Sequence, residues 1–389
     1  MFKSHHNHID ILVLIAVLTL MLLSLGIVYS ASASYAQAKL GGSERMLISH
    51  AIKVFLGILG MFIAMRIDYH KLQRLTKFAV IVAVGFLMVT LVLGGEMKGV
   101  TRWLRFSSIG FQPSEFAKYA LLFHLCSLVA MKGELIKDFK KGFIPMMFWM
   151  GFVTLLVMLQ PNFSMGAMIF LLSMVMMFIG RAKISHIALT AVTLIPVLIT
   201  YMLSADYRLE RVKAFLSGGA LSTRSNYQLW QGILAFGNGG IFGVGPGESK
   251  QRDFFLPESY GDFVFSIIGE EYGFIGTMFF TLLFLLIMLR GFRIAKYAGD
   301  PFGRNLAIAI TSAITLYALI NAGVTLGILP TTGLPMPFVS YGGSSMVFSA
   351  CAIGVLLNIS SQTDLYPRAR QVHVLGSVQA SEATVGKVY

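Results

Sequence analysis

The sequence predicts an all-α, polytopic membrane protein with about ten spanning helices and a large extracellular loop between the seventh and the eighth. Three observations predict it. Of 389 residues 56% are hydrophobic and only 13% charged, against about 25% charged in a soluble domain, and the mean hydropathy is +0.74. Apolar runs long enough to cross a bilayer recur along the whole chain. The short loops on alternate sides are basic, as cytoplasmic loops are.

Hydropathy places the spans at about 10–30, 47–66, 77–94, 114–131, 143–159, 164–180, 186–204, 263–289, 304–329 and 343–361. The first is too long for a signal peptide and no small-residue cleavage site follows it, so it is read as a retained span. The second and ninth carry polar or small residues and are expected to face protein rather than lipid. Residues 1–361 form a single transmembrane domain, with the large outer loop at about 205–262, and 362–389 is a polar, flexible tail.

An even number of spans puts both termini on one side. That side collects Lys71, Arg74 and Lys77, then Lys132, Lys137, Lys140 and Lys141, then Arg181 and Lys183, then Arg290, Arg293, Lys296 and Arg304, with Arg368 and Arg370 in the tail. This side is therefore the cytoplasm, and the membrane is the cytoplasmic (inner) one. The net charge of +13 is topological, and nucleic acid is not expected as a partner. Cys126 and Cys351 fall inside spans and read as small buried hydrophobes. The run His5, His6, His8 reads as a solvated tail.

The outer side has three notable loops, about 95–113, 205–261 and 330–343. In the long one, Leu209–Leu216 has an amphipathic pattern and Tyr227–Phe236 reads as a short helix. The glycine-rich run from Gly237 to Gly247 imitates a nucleotide-binding loop but lacks the preceding strand and following helix, so it reads as an ordered turn.

Ionisable residues within a bilayer cost about 2.5 kcal/mol or more each at its centre, and four clusters ask for an explanation. Arg102 and Arg105 precede Gln112-Pro113-Ser114-Glu115, and Lys118 shares a helix face with Glu115. Either the pair neutralises itself, or Lys118 and the arginines surround a phosphate-bearing substrate. Glu258 and Asp262 lie where the long loop re-enters the membrane. Asp262 is either the N-cap of the eighth span or a general base at the outer boundary. Glu270 and Glu271 repel each other about 12 Å further along that helix, so one needs a cation, with Lys118 and Arg102 as candidates. The run Leu329–Ser345, which includes Ser340, Tyr341, Gly342 and Ser344, is non-helical backbone at membrane depth, sheltered by protein or a water-filled cavity.

Together the stretches Arg102–Lys118, Tyr227–Gly276 and Asn321–Asn358 resemble the SEDS family, the RodA/FtsW cell-wall proteins. The resemblance covers nearly the whole chain, and Thr331-Thr332-Gly333-Leu334-Pro335 looks more like the FtsW, cell-division branch than the RodA, elongation branch. It implies an inverting peptidoglycan glycosyltransferase that joins lipid II units to a growing glycan strand at the outer membrane face. Asp262 corresponds to the family's essential acidic residue. The resemblance makes Asp262 the catalytic residue, and Arg102, Arg105, Gln112, Glu115, Lys118, Glu258, Glu270, Ser340, Tyr341, Gly342 and Ser344 line the substrate cavity, Glu115 orienting Lys118. No cofactor is certain; a divalent cation, Mg2+ or Mn2+, is an expectation of the same kind. The implied partners are a class B penicillin-binding transpeptidase, other divisome proteins and membrane lipids. Asn162 stands where the family usually has Asp, which keeps an acceptor but loses the charge. A lipid II flippase would use similar residues, but the polar motifs gather on the outer half and no inverted repeat is visible.

Overall fold

The computed structural model describes residues 8–42, 44–93, 95–97, 100–106, 109–204, 206–216, 224–253, 255–256 and 259–363. Glu258, His5, His6, the side chain of Arg105 and the tail from 364 onward lie outside the described residues.

Twelve α-helices follow one another: α1 (Ile11–Leu40), α2 (Glu44–Arg66), α3 (Tyr69–Leu93), α4 (Pro113–Lys132), α5 (Ile144–Leu159), α6 (Phe163–Ile179), α7 (Ile184–Leu203), α8 (Asp206–Leu216), α9 (Arg224–Gly239), α10 (Val264–Lys296), α11 (Pro301–Thr325) and α12 (Gly343–Ser361). Among the described residues nine helical stretches are long and apolar enough to cross a membrane, and α6, with 17 residues, is a shorter apolar one. These are the ten expected spans. Helices α8 and α9 belong to the long loop and fall where the amphipathic patterns predict them. Among the described residues the one departure from all-α is a small antiparallel sheet of β1 (Gly95–Met97), β2 (Val100–Phe106) and β3 (Ile109–Phe111), in the order β1-β2-β3. The sequence reading left this stretch as a loop.

Two boundaries move for physical reasons. Helix α3 begins at Tyr69, so Lys71, Arg74 and Lys77 lie in helix rather than in a loop; Lys, Leu, Gln and Arg are good helix formers and the start of a span needs no apolar residue. Helix α1 starts on Asp10, whose carboxylate accepts from the Val13 N–H, and runs ten residues beyond the expected end to a left-handed Gly41. Apolar character fades after Ser30, but the run Ala-Gln-Ala-Lys sustains the helix.

The centre of the bundle is built from α4, α11 and α12, whose candidate spans are more than half buried. The ninth span, α11, is interior as expected. The second is not. Helix α2 buries only the narrow face Met46, His50, Val54, Gly57 and Met61, while Ile48, Ile52, Phe55, Leu59 and Ile63 are exposed. Its polar and small residues face α1 and α12: His50 Nε2 is 2.9 Å from Ser24 Oγ of α1, a Cβ on Gly57 would meet Met21 at 2.8 Å, and across the α12 seam a Cβ on Gly354 would sit 2.2 Å from the Met61 carbonyl. At the basic end, Asp10 and Arg290 form a buried ion pair at 2.7 Å, and the Asp10 N–H donates to Ser360 Oγ, fastening α1 to α10 and α12.

The α2–α12 seam has a simple check. Gly354→Val overpacks a backbone contact and lowers the stability by about 1–3 kcal/mol, read as a depressed Tm in detergent. Gly26→Ala on α1, with nothing within 4 Å of the added methyl, leaves Tm unchanged or raises it.

Candidate active site

Asp262 lies one residue before Phe263, the N-cap of α10, and that cap makes no side-chain hydrogen bond. Asp262 thus stands just outside the cap position of that helix. Its side chain is half-buried. The segment that carries it is tied to the loop between α11 and α12 at every turn. Asn321 Nδ2 on α11 donates to both the Asp262 and Leu334 carbonyls, each at 2.8 Å. Ser340 Oγ donates to the Gly261 carbonyl at 2.8 Å and accepts from the Met336 N–H at 2.8 Å. The Tyr341 N–H donates to the Tyr260 carbonyl at 2.9 Å. Gly333, in the left-handed region at φ 75, brings its backbone against the carboxylate: a Cβ there would meet Asp262 Oδ2 at 3.2 Å.

Beside this clamp is an aromatic and cationic cluster. The Tyr341 ring stands edge-on to Tyr260 at 5.8 Å, and Tyr260 packs on Tyr35 at 5.3 Å. Burial first, and the neighbouring Tyr35 hydroxyl second, push the Tyr260 phenol above its ordinary range, so it keeps its proton at neutral pH. Lys53 Nζ of α2 sits over the Tyr341 ring at 3.5 Å, Ser49 Oγ is 3.0 Å from the Tyr341 hydroxyl, and the Lys53 stem passes 3.5 Å from a Cβ on Gly343. The Gln112 N–H donates to Ser344 Oγ at 2.9 Å, which joins the head of α4 to the head of α12. Of the residues expected in the site, Asp262, Ser340, Tyr341, Gly342, Gln112 and Ser344 are thus brought to one end of the bundle. Lys53 was missed by the sequence reading, although a lysine in the middle of a span is itself a signal.

Other expected residues have partners within the protein. Glu115 and Lys118 are 1% and 2% exposed and pair at 2.8 Å, with Lys118 Nζ 4.0 Å over the Tyr317 ring and 4.7 Å over Tyr119. Lys118 is thus enclosed by Glu115 and two tyrosine rings inside the bundle. Arg102 donates Nε to the Gln160 carbonyl at 3.3 Å and Nη2 to the Pro161 carbonyl, so it braces the α5–α6 turn. Asn162 in that turn is buried and heads α6 without a side-chain cap.

The two adjacent glutamates are also used internally. Glu270 is fully buried and accepts from Asn238 Nδ2 at 3.2 Å, from the Gln251 N–H at 3.2 Å and from Ser249 Oγ. Glu271 accepts from Ser30 Oγ and lies 3.8 Å from Arg252 Nη1. Arg252, not Lys118 or Arg102, is its cation, because the long loop folds Arg252 onto Ser30 of α1, whose Oγ accepts from it at 2.7 Å. The glycine-rich run packs on the same helix: Val244 and Gly245 donate to the Glu270 and Glu271 carbonyls at 2.9 and 3.0 Å. Helix α10 is broken there at Gly273, φ 65 and ψ −159. The ordered-turn reading of Gly237–Gly247 holds from Gly240 on, while residues 237–239 finish helix α9.

Among the described residues no three His, Cys, Asp or Glu side chains come together to hold a metal ion.

Comparison with known proteins bears on the whole chain. Residues 10–365 match the family model for the FtsW, RodA and SpoVE proteins, described as cell cycle protein. A probable peptidoglycan glycosyltransferase FtsW from Geobacter metallireducens is 38% identical over 86% of this chain and 90% of its own length. The stage V sporulation protein E of Bacillus subtilis is 36% identical over 90% and 96%. Among solved structures, a chain from a study of polymerization and crosslinking by a peptidoglycan synthase complex superposes with a TM-score of 0.75, at 23% identity over 90% of this chain and 97% of that one. The rod shape determining protein RodA of Thermus thermophilus gives 0.67, at 22% identity over 92% and 98%. The chain belongs to the FtsW/RodA/SpoVE family of multi-pass membrane proteins.

Proposed function

We propose that this protein is a peptidoglycan glycosyltransferase that polymerises lipid II at the outer face of the cytoplasmic membrane, serving septal wall synthesis. The observation that carries the reading is the Asp262 carboxylate, half-buried and held against Gly333 by the Asn321 and Ser340 hydrogen bonds. A base needs a fixed position within hydrogen-bond reach of the proton it removes, and this arrangement supports one. The names of relatives that share more than a third of their residues with this chain support the same activity.

In the proposed reaction Asp262 takes the proton of the acceptor sugar's 4-hydroxyl. The hydroxyl oxygen attacks the anomeric carbon of the donor from the opposite face to the leaving group. The bond from that carbon to the polyprenyl diphosphate breaks, the electron pair departs with the diphosphate, and the configuration inverts. Lys53 is the cation best situated to meet the developing negative charge, since its ammonium stands over Tyr341 with no carboxylate partner among the described residues. Tyr260 and Tyr341 offer flat faces to sugar rings. Tyr260, protonated at neutral pH, does not compete as base. Among the described residues no metal cage is formed, and no step is routed through a divalent cation.

The orientation follows from charge. Ten spanning helices return the chain to its starting side, the basic loops mark that side as cytoplasmic, and the Asp262 end is then periplasmic. A class B penicillin-binding transpeptidase is the proposed partner, supported by the likeness to a chain of a peptidoglycan synthase complex.

Three outcomes test this. Asp262→Asn lowers glycan polymerisation by about 10²–10⁴-fold in purified protein given lipid II and its transpeptidase, with Tm unchanged; a variant that still makes polymer refutes the role. Lys53→Met lowers kcat/KM by about tenfold or more, from about 1.5–3 kcal/mol for a charged hydrogen bond, and Lys53→Arg restores most of it; equal rates for all three exclude a charge role. Asn321→Leu lowers kcat with KM little changed, since it releases the Asp262 backbone without touching substrate; a change confined to KM would place Asn321 in binding instead.

A further inference from the structure

The end of the bundle opposite Asp262 contains a second feature that the proposed reaction does not use. A cavity of about 280 Å³ lies between the end of α4, the 3-10 turn Gly133–Lys137, the α6–α7 turn and the first turns of α11. Glu134, Lys137, Arg181, Arg304 and Asn305 are among its lining residues. Its volume is below the roughly 300–1,000 Å³ of a drug-sized site, so it suits one small group.

Three cations face a single carboxylate there. That carboxylate is already committed: Glu134 pairs with Lys137 at 2.5 Å. Among the described residues Arg304 makes no ion pair. The decisive residue is Asn305. It is 1% exposed, and neither its Nδ2 nor its Oδ1 has a hydrogen-bond partner. A buried amide with both ends unsatisfied is costly and rare, and it becomes intelligible when a ligand supplies an acceptor to Nδ2 and a donor to Oδ1. The arginines require that ligand to be anionic, and an arginine fork matches phosphate. A phosphodiester that also carries a hydroxyl meets all three demands.

The geometry points to a binding site for a glycerol-phosphate group, supplied by the headgroup of an acidic phospholipid such as phosphatidylglycerol. The lipid is favoured over a soluble molecule by position. The cavity sits at the ends of three spanning helices, with Arg181, Arg304, Glu134 and Lys137 exposed at its mouth, the level at which headgroups lie. Basic pockets between helices on that face are suited to acidic headgroups. The site takes no part in glycosyl transfer and stands or falls separately from that reading.

The test uses the full chain in mild detergent. Native mass spectrometry measures retention of phosphatidylglycerol against phosphatidylcholine, and isothermal titration measures soluble glycerol 3-phosphate. The wild type is expected to retain phosphatidylglycerol about tenfold better than phosphatidylcholine. Arg304→Gln, at an exposed position, lowers that retention about fivefold. Asn305→Asp, which keeps the volume but sets a carboxylate against the phosphate, lowers it further; should Asn305→Asp not fold, Arg304→Gln decides. Equal retention of the two lipids, or an Arg304→Gln protein that retains phosphatidylglycerol as well as the wild type, overturns the proposal. Glycerol 3-phosphate binding without preference for the acidic lipid overturns the lipid source.

Discussion

Backbone that is neither helix nor strand has to find partners for every N–H and C=O before it can lie at membrane depth. In this protein two such segments solve the problem for each other. The approach to α10 and the loop before α12 exchange hydrogen bonds through Asn321, Ser340 and the Tyr260–Tyr341 backbone pair. Everything at the outer end is secondary to that exchange. It sets the place of the carboxylate, presses Gly333 against it, and delivers the Tyr341 ring to Lys53. Take away one partner and a buried carbonyl is orphaned at about 1–3 kcal/mol, so the two segments keep their register together or lose it together.

Most of the charge in the bundle is scaffolding. Glu115 and Lys118 neutralise each other in the interior, Asp10 and Arg290 lock the opposite end, and Glu270 and Glu271 act as fixed acceptors around which the long loop folds. Breaking such buried pairs by removing one partner is far more damaging than their net contribution suggests. A polar residue in a span is therefore a poor guide to chemistry until its neighbours are known. Lys53 and Asp262 differ from the rest in being incompletely buried and in lying beside irregular backbone.

Much of this was legible in the residues. Periodicity and hydropathy gave the ten spans, the interior position of α11 and both loop helices, because a span and an amphipathic helix each leave a one-dimensional trace. The motif around Asp262 and the run from Leu329 to Ser345 marked the two irregular segments that the structure joins. What was not legible depends on contacts remote in sequence. The partner of Glu271 could not be read because Ser30 and Arg252 meet it only once the long loop folds back onto α1. The face of α2 was misjudged because small residues mark contact with one neighbour as readily as full burial. The strands at 95–111 carry too few residues for an alternating pattern to stand out, and Lys53 was passed over for lack of a motif around it.

Helix α10 has 33 residues, about 50 Å at the usual rise, against a hydrocarbon layer of about 30 Å, and Gly273 divides it. The portion from Phe274 to Lys296 is long enough to cross on its own. The portion above the break, residues 264–272, carries the bonds to the long loop through Glu270 and Glu271. Bilayers differ in thickness by a few ångströms, and helices answer by tilting. A continuous rod would swing its tip sideways with every such adjustment. Here the rod is interrupted at Gly273, and the glycine-rich turn splints the break from both sides, bonded to Glu270 and Glu271 above it and to Phe274 and Ile275 below.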